Sequence, residues 1–300
     1  MQYSSISRWV CVFAVVFCCS CARINHQHTP NDEPVTAILG AFDKEVVLLD
    51  DRLLDPQEHV IEGIRFVRGR LEGRNVVIVW TGIGKVNAAM TTTLLLEHFK
   101  PSEVIFTGIA GGVNPELHPG DIVIAARVAH HDMGTLYPDA LYYRGVQNRL
   151  TGWRNPVFFE ADERLLSLAR RAARSVQLAP VRLVDGEHTP QIIEGVVVTG
   201  DVFVASTSKG EELRQRLEAD AVEMEGAAVA QLCFQRDVPC LVIRSLSDRA
   251  DEGAVQDKQM FYILAAENSS HLVGEIVHRM STPPLAGSQP APAAPNTINN

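Results

Sequence analysis

Two carboxylates, Glu223 and Glu225, flank Met224 at the head of the small, apolar stretch AVEMEGAAVAQL, residues 221–232. A carboxylate buried without a partner costs several kcal/mol or shifts its pKa, so acids placed in such a run need something to hold. Read as a helix, an offset of two turns the side chains about 200° apart, so the two acids serve different neighbours. Further acids follow short apolar runs elsewhere: Glu45 in GAFDKEV, Asp201 in TGDVFVAS and Asp248 in SLSDRAD. Glycines stand beside them in TGIGKVN and TGIAGGVNP, where backbone must turn sharply or approach a ligand closely. A concave site ringed by carboxylates suits a polyhydroxyl ligand and acid/base chemistry better than it suits phosphate.

The elements that must position these residues are short β-branched runs alternating with helical patterns. VTAILG, NVVIVWTG, EVIFTG, DIVIAARV, GVVVTG and CLVIRSLS read as strands, their near-continuous apolarity indicating burial on both faces. KVNAAMTTTLLLEHF reads as a helix stopping before Pro101, and Leu165, Leu168, Ala169, Ala172 and Val176 recur at helical spacing behind an Asp162 cap. The pattern predicts a three-layer α/β/α domain on a mostly parallel, twisted central sheet. In such folds ligands sit at the carboxyl ends of strands, which is where the acids fall.

Of 300 residues, 46% are apolar and 21% charged, an ordinary globular balance. With 27 Lys and Arg against 36 Asp and Glu, the formal charge of −9 disfavours nucleic acid and anionic lipid as partners and favours a small molecule. Arg8 precedes the eleven-residue apolar run WVCVFAVVFCC, the length of a signal-peptide core and too short to span a bilayer. Residues 1–20 therefore read as a leader, 21–34 as a polar tether, 35–280 as one domain and 281–300, with five of the sixteen prolines, as a disordered tail. Cys21 is the expected acylated N-terminus of an exported protein, with lipid as its sole membrane attachment. Cleavage after Ala22 is the alternative, and an unprocessed leader would leave the protein in the cytosol. After processing, Cys233 and Cys240 remain in the body, which is no disulfide framework.

Taken in order, GAFDKEV, TGIGKVNAA, TGIAGG, GDVF, VEMEGAA and RSLSD resemble the nucleoside phosphorylase/hydrolase superfamily and, within it, the methylthioadenosine/S-adenosylhomocysteine nucleosidases. The resemblance runs from about Val35 to Met280. It implies cofactor-free hydrolysis of the N-glycosidic bond of adenine thionucleosides. Asp248 would be the general acid that protonates the purine, Glu45 the base that activates water, and Arg244 the residue holding that water or its neighbouring carboxylate. Glu225 would accept both ribose hydroxyls, with Glu223 supporting from behind. Phe203 would stack on adenine with the Val204 backbone at its edge. Met224, Phe42 and Phe261 would line the ribose face and thioether pocket, and Ala110, Gly111 and Ser247 would complete the binding surface. The resemblance also implies a homodimer, with MGTLYPDALYY, rich in Tyr137, Tyr142 and Tyr143, as a lid reaching toward the second subunit.

Three positions depart from the family pattern: Phe42 replaces a methionine, Ile109 a small hydroxyl residue, and Lys258 stands near an expected aromatic wall. Ile109 and Lys258 leave open a hydrolase for another purine nucleoside, such as a futalosine-like one. An exported binding or storage protein that has lost turnover is a further alternative. Phosphorolysis is disfavoured, because the loops where related phosphorylases carry arginine here offer only Lys44. TGIGKVN lacks the earlier glycine and the Ser/Thr after lysine of a phosphate loop. His130, His131 and Asp132 in HHDMG could ligate a metal, but no second cluster has ligand spacing, so neither metal nor cofactor is expected. Arg164, Arg170, Arg171 and Arg174 read as a solvated helix face.

Overall fold

The computed structural model describes residues 33–183 and 186–281; the leader, Cys21, most of the tether and nearly all of the tail lie outside them. β1 (Thr36–Gly40), buried along its length, runs into a 3₁₀ turn (Asp43–Glu45) and the single turn α1 (Val47–Asp50). β2 (Leu54–Ile61), β3 (Ile64–Leu71) and β4 (Arg74–Trp80) then form an antiparallel meander. Its two-residue turns, Glu62–Gly63 and Glu72–Gly73, all have positive φ, the twist that tight hairpins require.

α2 (Lys85–Phe99) leads to β5 (Glu103–Phe106), β6 (Ile109–Gly112) and β7 (Ile122–His130). The small hairpin β8 (Gly134–Leu136) and β9 (Leu141–Tyr143) precedes β10 (Phe158–Glu160). The Asp162 side chain caps α3 (Glu163–Ala173) by accepting from the Leu165 N–H at 3.0 Å. A second small hairpin, β11 (Val181–Leu183) and β12 (Gly186–His188), leads to β13 (Ile192–Thr199) and α4 (Thr207–Leu217). β14 (Ala221–Glu223), α5 (Gly226–Gln235), β15 (Cys240–Asp248) and the long α6 (Ala254–Ser281) complete the body.

The six predicted strands and both predicted helices form, and the three layers follow from strand alternation. Ala37 and Leu39 of β1 pack with α2 and α5 on one face, whereas Ile38 packs with α3 and α6 on the other. The sheet is more mixed than expected. Its eleven strands make six parallel pairings and five antiparallel ones. Moreover, β7, β13, β14, β6 and β15 pair in a closed circuit, because β7 and β15 also pair with each other. Register shifts at Gly195/Val196 and Leu246/Asp248 bend the two long strands, as bulges do where a sheet must curl.

Candidate active site

The cleft lies where this circuit meets the carboxyl ends of β1, β14 and β15. It is lined by Ala41, Phe42 and Glu45 after β1, by Ile109, Ala110 and Gly111 of β6, by Met224 and Glu225, by Ser247 and Asp248, and by Ile83, Phe203 and Lys258 from flanking segments. Most residues expected from the sequence therefore meet in one place.

Glu45 is buried at the end of its 3₁₀ turn. Its carboxylate accepts from the backbone N–H groups of Ala41, of Phe42 at 3.2 Å and of Ile109 at 2.9 Å. A Cβ at Gly108 would stand 2.7 Å from Glu45 Oε1, so glycine is required for that close approach. Burial pushes the Glu45 carboxyl up to about 7, against the opposing pull of the Arg244 charge and the three backbone bonds. Near neutral pH such a group can give or take a proton.

Asp248 ends β15, with Oδ2 accepting from the Ser247 hydroxyl at 2.7 Å and Oδ1 from the Ala250 N–H at 2.9 Å. A Cβ at Gly111 would meet Asp248 Oδ1 at 2.6 Å. Burial raises its pKa, and Ser247, the Ala250 N–H and the Lys258 charge moderate the rise. β6 thus touches both acids, Glu45 through Ile109 and Asp248 through Gly111. Two strand residues separate these anchors by roughly 6–7 Å, room for a sugar ring with a water on one side and a leaving group on the other.

Glu223 and Glu225 do not share a helix: Glu223 ends β14 and Glu225 is the N-cap of α5. Chain direction changes between them, so the helical offset does not apply, yet the division of roles survives. Glu225 accepts from the Gly84 N–H at 2.7 Å and faces the cleft. Burial first, and then the negative charge of Glu223, hold its carboxyl above the ordinary range. Glu223 turns inward and accepts from Thr199 Oγ1, from the Gly226 N–H at 2.7 Å and from Arg244 Nη2 at 2.8 Å. Arg244 is 1% exposed, lies 4.1 Å from the Phe106 ring centroid and donates to the carbonyls of Phe106 and Ile243. Four of its five N–H donors go to Glu223 and the backbone, so the carboxylate it bonds is Glu223, and it acts on Glu45 through its charge.

Two expected ligand residues fall elsewhere. Phe261 lies with Pro119, Leu183, Arg249 and Met260 in a separate depression. One residue on a helix is a turn of about 100°, so Lys258 and Tyr262, four apart, share the cleft side of α6 instead. Tyr262 stands 6.2 Å from the Phe42 ring, and the Lys258 ammonium 5.0 Å from that of Phe203. The Val204 side chain is buried with Val113, Val198 and Leu213 rather than in the cleft, leaving its backbone beside Phe203. Residues missed in the sequence are Ile83, Tyr262 and Thr199; the glycines around Ile83 were the available signal.

The HHDMG group is partly committed to other partners, with His131 Nε2 and His130 Nδ1 buried and without a hydrogen-bond partner among the described residues. Asp132 pairs with Lys85 at 2.6 Å and accepts from the Asp201 N–H at 3.0 Å, while His130 bonds Gln231 at 3.2 Å.

A family model for the phosphorylase superfamily matches residues 35–278. A 5′-methylthioadenosine/S-adenosylhomocysteine nucleosidase of Bacillus thuringiensis (strain Al Hakam) is 36% identical over 245 residues, 81% of this chain and 98% of that protein. The crystal structure of such a nucleosidase from Neisseria meningitidis, in complex with methylthio-immucillin-A, is 33% identical with a TM-score of 0.69, over 82% of this chain and 99% of that one. The futalosine hydrolase of Helicobacter pylori strain 26695 is 30% identical with a TM-score of 0.69, over 82% and 98%. The chain therefore belongs to the phosphorylase superfamily and, within it, to the 5′-methylthioadenosine/S-adenosylhomocysteine nucleosidases.

Proposed function

We propose that the cleft hydrolyses the N-glycosidic bond of adenine thionucleosides, methylthioadenosine and S-adenosylhomocysteine, to adenine and the thioribose product. The observation that carries this reading is a pair of buried acids of raised pKa, Glu45 and Asp248, anchored at two points of one strand. Adenine leaves poorly as an anion, so protonated Asp248 donates to the purine ring as the bond breaks. The sugar becomes cationic, and ionised Glu45 takes a proton from the water that captures it. Glu225 accepts the ribose hydroxyls, which a carboxylate with two oxygens does well. Phe203 offers its ring to the purine, and Phe42 with Tyr262 forms an apolar wall for the thioether end. Purified protein incubated with either nucleoside should release free adenine; retained binding without release would overturn the assignment in favour of a binding protein.

A second substrate reading rests on Lys258. Its ammonium brings a positive charge into a cleft otherwise supplied with carboxylates, which favours a nucleoside whose 5′ substituent carries an anionic group. Such a charge suits S-adenosylhomocysteine, with its carboxylate, over methylthioadenosine, and it leaves room for other anionic nucleosides.

The reading extends to a homodimer. Leu136, Tyr137 and Tyr142 of the β8–β9 hairpin are exposed, as are Val86 and Met90 on the first turns of α2 and Ile83 just before it, an apolar surface of the kind a second subunit covers. Sedimentation at assay concentrations checks it, and a fully active monomer would refute it. Export with acylation at Cys21 completes the reading, and mass spectrometry of the mature N-terminus decides it.

A further inference from the structure

On the far side of β15 from the cleft, one ligand atom each from His118, Asp121 and His188 lie within 4.8 Å of one another. We propose that these three side chains form a binding site for a divalent transition metal that prefers imidazole, of the Zn²⁺ class. The site is separate from the hydrolytic cleft, and the proposal stands independently of the reaction assigned there.

Asp121 is fully buried, and among the described residues its ion-pair partner is His188, whose Nε2 lies 2.6 Å from Oδ1. The carboxylate is aimed by its backbone neighbours, accepting from the Gln191 N–H at 2.9 Å and the His118 N–H at 2.9 Å. Fixing a ligating carboxylate by hydrogen bonds from behind is how protein metal sites orient their ligands. The two imidazoles stack with centroids 4.6 Å apart, and His118 Nδ1 is buried with no hydrogen-bond partner. A buried ring nitrogen without a partner is costly, and a Lewis acid shared with Asp121 and His188 removes that cost.

Two imidazoles and one carboxylate match the donor preference of Zn²⁺ and its neighbours rather than that of Mg²⁺ or Ca²⁺. With metal–ligand bonds of 2.0–2.2 Å, tetrahedral ligand atoms stand about 3.3–3.5 Å apart. Binding therefore opens the His188–Asp121 contact slightly and draws His118 in. His188, with 21% of its side chain exposed, has room for this adjustment. The ligands are distant in sequence but join two segments: His188 ends β12, while Gly120 and Asp121 exchange backbone hydrogen bonds of 2.8 Å with Leu246. A bound cation would brace the strand that carries Asp248.

The test uses the full chain, freed of metal by a chelator and titrated with Zn²⁺ by calorimetry, with Co²⁺ as a spectroscopic probe. We expect saturable binding of one Zn²⁺ and a higher Tm on loading. His118→Ala and His188→Ala should each weaken binding at least about tenfold, while His271→Ala, on the exposed side of α6, leaves it unchanged. Should the alanine variants fold poorly, His118→Gln and His188→Gln serve, and the Co²⁺ spectrum of the unaltered protein should show visible bands of nitrogen and oxygen ligation. Three outcomes would overturn the proposal: no binding, unaltered binding in both histidine variants, or an intense thiolate-to-Co²⁺ transition that assigns the metal to cysteines. In the first two cases His188 and Asp121 are only a hydrogen-bonded pair.

Discussion

The guanidinium of Arg244 pairs with Glu223 at 2.8 Å, both side chains almost wholly buried, and the charges of this pair act on Glu45 and Glu225, two of the carboxylates that line the cleft. Glu223 in turn accepts the N–H groups of Glu225 and Gly226, so the pair fixes the turn on which Glu225 is presented. Arg244→Met should leave Glu223 buried without its cation and destabilise the fold by about 3–5 kcal/mol. Adding Glu223→Gln should recover part of that loss. Thermal melts of the two single variants and the double variant measure the coupling, and additive losses would show that the pair is not the structural unit described.

Asp248→Asn keeps the shape of the side chain and removes the transferable proton; Glu45→Gln removes the water-activating charge. Each should lower kcat by roughly 10²-fold or more, with far-UV circular dichroism and Tm showing an intact fold. Turnover that survives both changes at the parent rate would remove these residues from the reaction.

The raised pKa of Glu45 makes two pH predictions with opposite signs. In the proposed reaction Glu45 acts in its ionised form, so kcat/KM should rise with pH through about 7, and Glu45→Gln should abolish that limb. Stability runs the other way. Between the ordinary value of 4.5 and about 7 the folded protein holds a proton that the unfolded chain releases, so this contribution to stability falls as pH rises through that window. Glu45→Gln should flatten this part of a Tm-against-pH profile. An unchanged profile would mean that Glu45 ionises normally in the fold.

Much of this site is legible in the sequence because its acids follow buried strands, and buried strands announce themselves as apolar, β-branched runs. β2 carries no such signal: its residues are almost all exposed, and its turns use Glu-Gly where Asn-Gly would have marked a hairpin. VEMEGAA reads as continuous helix because β14 is only three residues long, too short for alternation to register. Phe261 and Tyr262 differ by one helical step, a phase that α6 acquires from packing against β15 rather than from its own pattern. The closing pair of the strand circuit, β7 with β15, joins segments far apart in the chain, as does His188 with Asp121. Contacts of that range follow from how the sheet curls, which no local window contains.

Lys258 should separate substrates by charge. Its ammonium, 5.0 Å from the Phe203 ring centroid, is held partly by the ring face and is available to an anionic group entering the cleft. Lys258→Ala should raise KM for S-adenosylhomocysteine more than for methylthioadenosine, and Lys258→Phe should favour methylthioadenosine further. Equal effects on both substrates would place the lysine outside the region that reads the 5′ substituent.

Membership of a superfamily named for phosphorolysis makes the identity of the attacking nucleophile a question the cleft must answer. Phosphate attack requires cations beside the anomeric carbon to hold a dianion. Among the described residues lining the cleft, Lys258 is the one cation, a single positive charge 5.0 Å from the Phe203 ring centroid. Arg244 is paired with Glu223, with four of its five N–H donors on that carboxylate and two carbonyls, and Lys44 is exposed. The buried Glu45 carboxylate lines the cleft, and once it is ionised it would repel a phosphate dianion bound beside it strongly. Water, neutral and able to give Glu45 a proton, meets no such repulsion. The rate of adenine release should therefore not rise when inorganic phosphate is added, and the sugar product should carry no phosphate. Mass spectrometry of the product formed in phosphate buffer measures this directly, and a sugar-1-phosphate in that spectrum would make the protein a phosphorylase.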